Sequence, residues 1–224
     1  MLNSVFIVVG VIVIIFIISV SLMIFAPKSI NFYGSEIFPI AKYINENNNQ
    51  TIKDGFYKIK DDDDWLDFPD KNNINGKCEI WPIYMFNIKL EKRIKKISDL
   101  YNLIKNIPDV KTIAFIKIEP NSSINKNRQW KLLSDTLRCV FVIDSPDDIV
   151  DKCAIWINGE AKKFKSNDLL IFDSSKEHAL YNKTKHPLYL FILDISRPEK
   201  IPNGVSDREY TDEMNNFIYK LSQE

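Results

Sequence analysis

From Val5 to Ala26 the chain runs for 22 residues without a charged side chain, rich in Val, Ile and Phe. At about 1.5 Å per residue a helix of that length crosses the hydrocarbon core of a bilayer, which is about 30 Å thick. A cleaved signal peptide would carry a shorter apolar region, about 7 to 15 residues, behind a basic start. Here no Lys or Arg precedes the run, and Pro27 and Lys28 close it. The expectation is a single-pass protein held to a membrane by an N-terminal transmembrane helix. Only Lys28 and Lys42 stand against an uncharged N-terminal flank, a weak bias toward a cytoplasmic C-terminal domain.

About 195 residues follow the anchor, enough for one domain with a sizeable core. Lys plus Arg and Asp plus Glu number 30 each, so no global field draws the chain to nucleic acid, and no nucleic-acid partner is expected. The acidic run Asp61 to Asp64 reads as a solvated loop, because adjacent carboxylates repel and lack the spaced ligands of a calcium loop. Cys78, Cys139 and Cys153 have no zinc spacing. A cross-strand disulfide between Cys139 and Cys153 and three reduced core thiols are both open readings. Asn49, Asn121 and Asn182 begin glycosylation sequons that matter only if the domain faces a lumen.

Four segments are expected: residues 1–27 as anchor, 28–77 as juxtamembrane helix and acidic connection, 78–200 as a barrel domain, and 201–224 as a C-terminal helix. Ile37, Ile40, Ala41 and Ile44 recur at helical spacing, as do Ile94, Ile97, Tyr101 and Ile104 in a helix that Pro108 ends. Tyr210, Met214, Phe217, Ile218 and Leu221 mark one face of the last helix. Between them short strands dominate: 113–118, 136–143, 154–157, 169–172, 179–181 and 188–195, with a tight Asn158-Gly159 turn. Many short strands beside a helical layer predict an α+β, mainly β, jelly-roll or cupin-like domain with flanking helices.

Five pieces in fixed order sharpen this: Trp81-Pro82-Ile83-Tyr84; Ile107-Pro108 with Ile118-Glu119-Pro120-Asn121-Ser122-Ser123-Ile124; Thr136-Leu137-Arg138-Cys139; Ile171-Phe172-Asp173-Ser174-Ser175 with His178 and Asn182; and Phe191 to Pro198. Together they resemble the aspartyl/asparaginyl β-hydroxylase family, Fe(II) and 2-oxoglutarate dependent oxygenases built on a double-stranded β-helix. The resemblance implies that His178 is the C-terminal iron-binding histidine and that Arg138 contacts 2-oxoglutarate. It also implies a domain facing the secretory lumen, against the charge bias, so the side of the membrane stays open.

The departures fall on the site. The chain has only two histidines, His178 and His186, and the second lies in a Lys-Thr-Lys-His-Pro loop, where exposure is expected. Asn127 stands where the family has its first iron-binding histidine, Val140 where it has the histidine of "LR.H", and Leu188 where an arginine binds the 2-oxoglutarate carboxylate. An asparagine carbonyl is a neutral, hard donor that suits Mg²⁺ or Ca²⁺ better than Fe(II). Leucine cannot replace the planar fork with which arginine grips a carboxylate. Two rescues are open: a carboxylate from Asp135 or Asp173 on the metal, and Arg128 or Lys126 on the cosubstrate. Against them, Asp135 reads as a loop residue and Asp173 as a turn residue.

The expected function is therefore a membrane-anchored, catalytically degenerate hydroxylase-like protein whose groove binds a protein partner, with no cofactor. The alternative is an active dioxygenase that hydroxylates Asp or Asn side chains, with Fe(II) on His178 and Asn127 and 2-oxoglutarate on Arg138. A structural membrane component, of a virion for instance, is the third reading; the Asn, Lys and Ile richness fits an AT-rich genome such as a viral one.

Overall fold

The computed structural model describes residues 14–16, 30–39, 44, 49–145 and 152–224, and the chain divides into units 1–30 and 31–224. In the first unit Ile14 to Phe16 are helical and exposed. The rest of the expected span lies outside the described residues, among which no helix is long and apolar enough to cross a membrane.

The second unit is a two-sheet sandwich with helices. In chain order its elements are β1 (Phe32–Tyr33), α1 (Asn49–Ile59), β2 (Leu66–Asp67), β3 (Ile74–Asn75), β4 (Cys78–Met85), β5 (Ile88–Lys89), α2 (Glu91–Lys96), α3 (Ser98–Ile104), β6 (Val110–Ile118), β7 (Ser122–Asn127), β8 (Thr136–Asp144), β9 (Cys153–Ile157), β10 (Glu160–Lys163), β11 (Leu169–Phe172), β12 (His178–Asn182), β13 (Leu188–Ser196) and α4 (Asp212–Ser222). The larger sheet has the order β1-β11-β8-β13-β6-β4-β2, with β5 beside β4; the smaller is β10-β9-β12-β7-β3. Described neighbours pair antiparallel, as a jelly roll requires.

Alternation along β8 shows how the layers form. Leu137, Cys139, Phe141 and Ile143 join the cluster that also holds Ile52, Phe56 and Ile59 of α1 and Leu100 and Ile104 of α3. Val140 and Val142 face the smaller sheet, in a second cluster with Ile124, Ile155, Ile157 and Leu180. The larger sheet is thus covered on both faces, which explains why β13 is an almost unbroken apolar run rather than an alternating one. Pro82 is tolerated inside β4 because β2 pairs only with Glu79 and Ile80 and β5 only with Tyr84 and Met85, so no strand flanks Pro82 on that side.

The helical layer departs from the sequence reading in detail. The helix expected at 94–107 is two helices broken at Ile97, whose φ of −125° and ψ of 38° leave the helical region. Helix α1 was not anticipated. Its Ile52, Gly55, Phe56 and Ile59 form the buried stripe, and Gly55 lets it approach Leu100, whose Cδ2 would lie 2.9 Å from an added Cβ. The helix expected from Ile37 to Ile44 falls mostly outside the described residues. Helix α4 has the expected face, buries Met214, Phe217 and Leu221, and is capped where the Thr211 hydroxyl accepts from the Met214 N–H at 3.2 Å. The β9–β10 hairpin turns at Asn158 (φ 43°) and Gly159 (φ 92°), the left-handed pair its sequence predicts.

Three further expectations are decided by the fold. The acidic run is tied down by Lys96, whose ammonium bridges Asp62 and Asp64. No disulfide forms: Cys139 belongs to the helix-side cluster, Cys153 to the inter-sheet one, and all three thiols are free and buried. Burial pushes the Cys78 and Cys153 thiols up to about 12, so both stay protonated and unreactive at neutral pH. The Asn182 sequon is closed, because this fully buried amide donates to the Ile118 and His186 carbonyls at 3.0 and 2.8 Å and accepts from the Thr184 hydroxyl at 2.6 Å.

Asp173, in the turn between β11 and β12, accepts from the Ser175 N–H at 3.1 Å and the Ser175 hydroxyl at 2.6 Å, and pairs with the buried Arg197 guanidinium. Burial would raise its carboxyl, but the hydrogen bonds from Arg197 and Ser175 outweigh that and hold it below the usual carboxylate range. Its stabilisation is therefore complete above the unfolded value of about 3.9 and fades as pH falls through the lower folded value. Asp173→Asn should cost about 3 kcal/mol at neutral pH by stranding a buried cation. Urea midpoints measured from neutral pH into the acid range should show the wild type converging on the variant.

Candidate functional site

Two rows of side chains face each other across one end of the sandwich. On the larger sheet, register aligns Phe172 of β11, Arg138 of β8, Asp194 of β13, Thr112 of β6 and Met85 of β4. On the smaller sheet it aligns Ile157 of β9, His178 of β12 and Asn127 of β7. Both rows, Ile157 excepted, line a single cavity of about 60 Å³ whose walls are mostly apolar, among them Ile80, Ile116, Ile124, Val140 and Ile192. A cavity of that size admits a few waters, against about 300 Å³ or more for a typical ligand cleft.

His178 has one defined tautomer. Its Nδ1 lies 2.9 Å from the Lys176 carbonyl oxygen, which can only accept, so Nδ1 carries the proton and Nε2 presents a lone pair. The ring is 3 % exposed, and burial, reinforced by the Arg138 and Arg208 charges and opposed by the Lys176 carbonyl, pushes its pKa down to about 4. His178 is neutral at physiological pH. Opposite it, Asn127 donates from Nδ2 to the Asn125 carbonyl at 2.8 Å.

The Arg138 fork is already filled. Nε donates to Asp194 Oδ1 at 2.7 Å and Nη2 to Oδ2 at 2.8 Å, a two-pronged pair in which Asp194 is wholly buried. Gln129 Nε2 adds a third donor to Asp194 at 3.3 Å. A second arginine enters from the segment after β13: Arg208 stacks 3.7 Å from the Trp130 ring, pairs with Asp70 at 2.7 Å and donates to the Arg128 carbonyl at 3.1 Å. Each cavity carboxylate thus has its own guanidinium.

His178, Asn127 and Arg138 all line this cavity. The rescue residues do not join them. Asp173 is engaged with Arg197; Asp135 lies off the cavity wall, with Oδ1 buried and unpartnered. Arg128 donates to the Ser175 and Val205 carbonyls, and Lys126 pairs with Glu177 at 3.7 Å and covers the Trp156 ring at 4.1 Å. His186 is exposed, as expected, and Leu188 is buried outside the cavity wall. Among the described residues no group of three or more His, Cys, Asp and Glu is placed to hold a metal ion.

Sequence reasoning missed Asp194, Gln129, Asp70 and Arg208. Asp194 had a signal: a carboxylate in the middle of an apolar strand must be paired. Arg208 had none, since it reaches the cavity only through the path of the chain after Ser196.

The fold and this arrangement of strands define a mainly β jelly-roll domain with flanking helices. Residues 46–198 match the family model described as aspartyl/asparaginyl β-hydroxylase, and the chain belongs to that family. It is 26% identical over 117 residues to the ornithine lipid ester-linked acyl 2-hydroxylase of Rhizobium tropici, a match covering 52% of this chain and 41% of that relative. The chain thus spans less than half the length of that relative. Among solved structures, a predicted oxalate decarboxylase from Thermotoga maritima shares 15% identity at a TM-score of 0.40, covering 59% of this chain and 91% of its own. The Schizosaccharomyces pombe Cnp3 cupin domain shares 8% at 0.36, covering 55% of this chain and 68% of that one.

The buried pair makes a direct test. Asp194→Leu alone should lose about 3 to 5 kcal/mol by leaving Arg138 unpaired, whereas adding Arg138→Met should recover most of it. Urea unfolding of the two single variants and the double variant reads the coupling; additive losses would show that the pair does not act as a unit.

Proposed function

We propose that this is a membrane-anchored member of the hydroxylase family in which the iron and 2-oxoglutarate site is degenerate, and that the domain acts by binding a protein partner. The observation that carries this reading is the Arg138–Asp194 pair: the guanidinium that the family resemblance assigns to the cosubstrate spends its Nε and Nη2 edge on a carboxylate of the chain itself. The donor chemistry agrees. The residues in register there, His178 and Asn127, offer one imidazole and one amide, and a neutral amide is a poor ligand for Fe(II). The carboxylates within reach, Asp194 and Asp70, are each bound to an arginine. These residues do not fit the implied metal and cosubstrate. The anchor rests on the uncharged run from Val5 to Ala26.

A second reading has its own support. His178, Asn127 and Arg138 do line one cavity, and Nε2 of His178 is presented as a ligand would be. On that reading the chain is a dioxygenase in which an incoming carboxylate displaces Asp194 from Arg138, with Asp or Asn side chains as substrates. The lipid hydroxylase in Rhizobium tropici extends the substrate classes to acyl chains. No observation favours a purely structural membrane component.

The deciding measurement is anaerobic titration of the full-length chain with Fe(II) and with 2-oxoglutarate, beside Asn127→His and the double variant Asn127→His, His178→Ala. The expected result is no wild-type binding at millimolar ligand, metal binding gained in Asn127→His by restoring an imidazole opposite His178, and loss of that gain in the double variant. Tight wild-type binding of both ligands would establish the dioxygenase reading instead.

A further inference from the structure

The outer face of the smaller sheet is not used by the cavity. Ile155, Ile157 and Leu180 point into the core, so strand alternation turns Trp156, Tyr181 and Ser123 outward. Register places Trp156 between Ala161 and Ala179, and Tyr181 between Ala154 and Ser123, so small neighbours leave both rings standing partly exposed. Lysines cover these rings: Lys126 lies 4.1 Å from the Trp156 centroid and Lys183 5.2 Å from that of Tyr181. On the other side of β10, in register with the inward Ile155, Lys162 lies 4.3 Å over Phe32 of β1 and does not belong to the outer face. Exposed Lys183, and Lys165 and Lys185 in the loops that follow β10 and β12, have no ion pair among the described residues; among the described acids, Glu177 lies 3.7 Å from Lys126 and Glu160 accepts from Asn31 at 3.2 Å. In a chain whose charges balance overall, Trp156 and Tyr181 with Lys126 and Lys183 over them make a basic and aromatic patch on this face.

The path of the chain supplies the second observation. Asn31 and Phe32 follow the apolar run by a few residues, and both contact this sheet: Asn31 through Glu160, Phe32 through Lys162. From Ala26 to Asn31 there are five residue steps, which reach at most about 18 Å fully extended. The first residues of the domain, a few positions after the apolar run in sequence, are thus held at the β10 edge of the smaller sheet.

We propose that the outer face of the smaller sheet lies against an anionic membrane surface, its lysines on lipid phosphates and Trp156 and Tyr181 at headgroup level. Tryptophan and tyrosine favour that level because one part of each ring system is apolar and another polar. Each lysine brought to an anionic leaflet strengthens association by about fivefold. The proposal rests on the anchor reading of the preceding subsection and gives the domain an orientation: the smaller sheet toward the lipid, helices α1 to α3 away from it.

The test uses the full-length chain in vesicles of phosphatidylcholine alone or with about one third phosphatidylglycerol, the anionic fraction supplying the surface potential. An environment-sensitive fluorophore is placed at Ser123→Cys on the proposed face, or at Tyr57→Cys on α1, where Tyr57 is 56% exposed. The label at 123 should be shielded from an aqueous quencher in anionic vesicles and the label at 57 should not. Reversing Lys126, Lys183 and Lys185 to Glu should cut the shielding by about tenfold or more, as should about 0.5 M salt, which shortens the Debye length to about 4 Å. Equal quenching of the two labels overturns the proposal, as does shielding indifferent to anionic lipid. Loss of the shielding to a single-stranded oligonucleotide would assign the face to nucleic acid and equally overturn it. Resistance to alkaline carbonate extraction, measured in parallel, judges the anchor alone: shielding in a carbonate-extracted chain supports the face without the anchor, and quenching in a carbonate-resistant chain rejects the face while keeping it.

Discussion

The domain is organised around a buried charge that must be neutralised from within. Arg138 and Asp194 sit on neighbouring strands of the larger sheet, in register, pointing into the space between the sheets. Coulomb attraction in that setting is strong, but so is the cost of removing both ions from water, and only good geometry offsets it. The two-pronged contact, with Gln129 as a third donor on Asp194, supplies that geometry. Arg208 and Asp70 make a second ion pair, with the Trp130 ring beneath the guanidinium.

Around that core the layers follow from burial. A sheet covered on one face by helices and on the other by a second sheet can bury every residue of its central strand, and β13 does so up to Ile195. The ends are then fixed by polar clamps: Asn182 holds the turn after β12, and Asp173 with Arg197 holds the turn before it. His178 lies between these clamps, its tautomer set by one backbone carbonyl. The segment after β13, beyond the family match, closes the same end of the sandwich with Arg208 and Met214.

Much of the fold was legible because alternation and turn chemistry are local. The strand from Leu169 to Phe172, the Asn158-Gly159 turn and the face of α4 all lie where the sequence places them. Helix α1 escaped because its stripe of Ile52, Gly55, Phe56 and Ile59 follows an Asn-rich stretch that reads as a break. The break at Ile97 escaped because the apolar spacing runs through it, and only packing against the sheet requires two helix directions. For the site, the family-aligned positions Asn127, Arg138 and His178 were readable, and register confirms that Asn127 and His178 are opposed. The partner of Arg138 was not, since Asp194 is 56 residues away and pairing is decided between strands.

The sequence by itself determined the uncharged N-terminal run, the mainly β class of the domain behind it, and the family. These are properties of composition, period and order, which need no knowledge of distant neighbours. Only the tertiary structure decided which carboxylate each arginine holds, that Cys139 and Cys153 lie in different layers, that Asn182 is a clamp, and that lysines gather over the rings of the smaller sheet. Each of those depends on strand register and on the path of the chain between sheets, where a shift of one residue would turn every side chain to the opposite face.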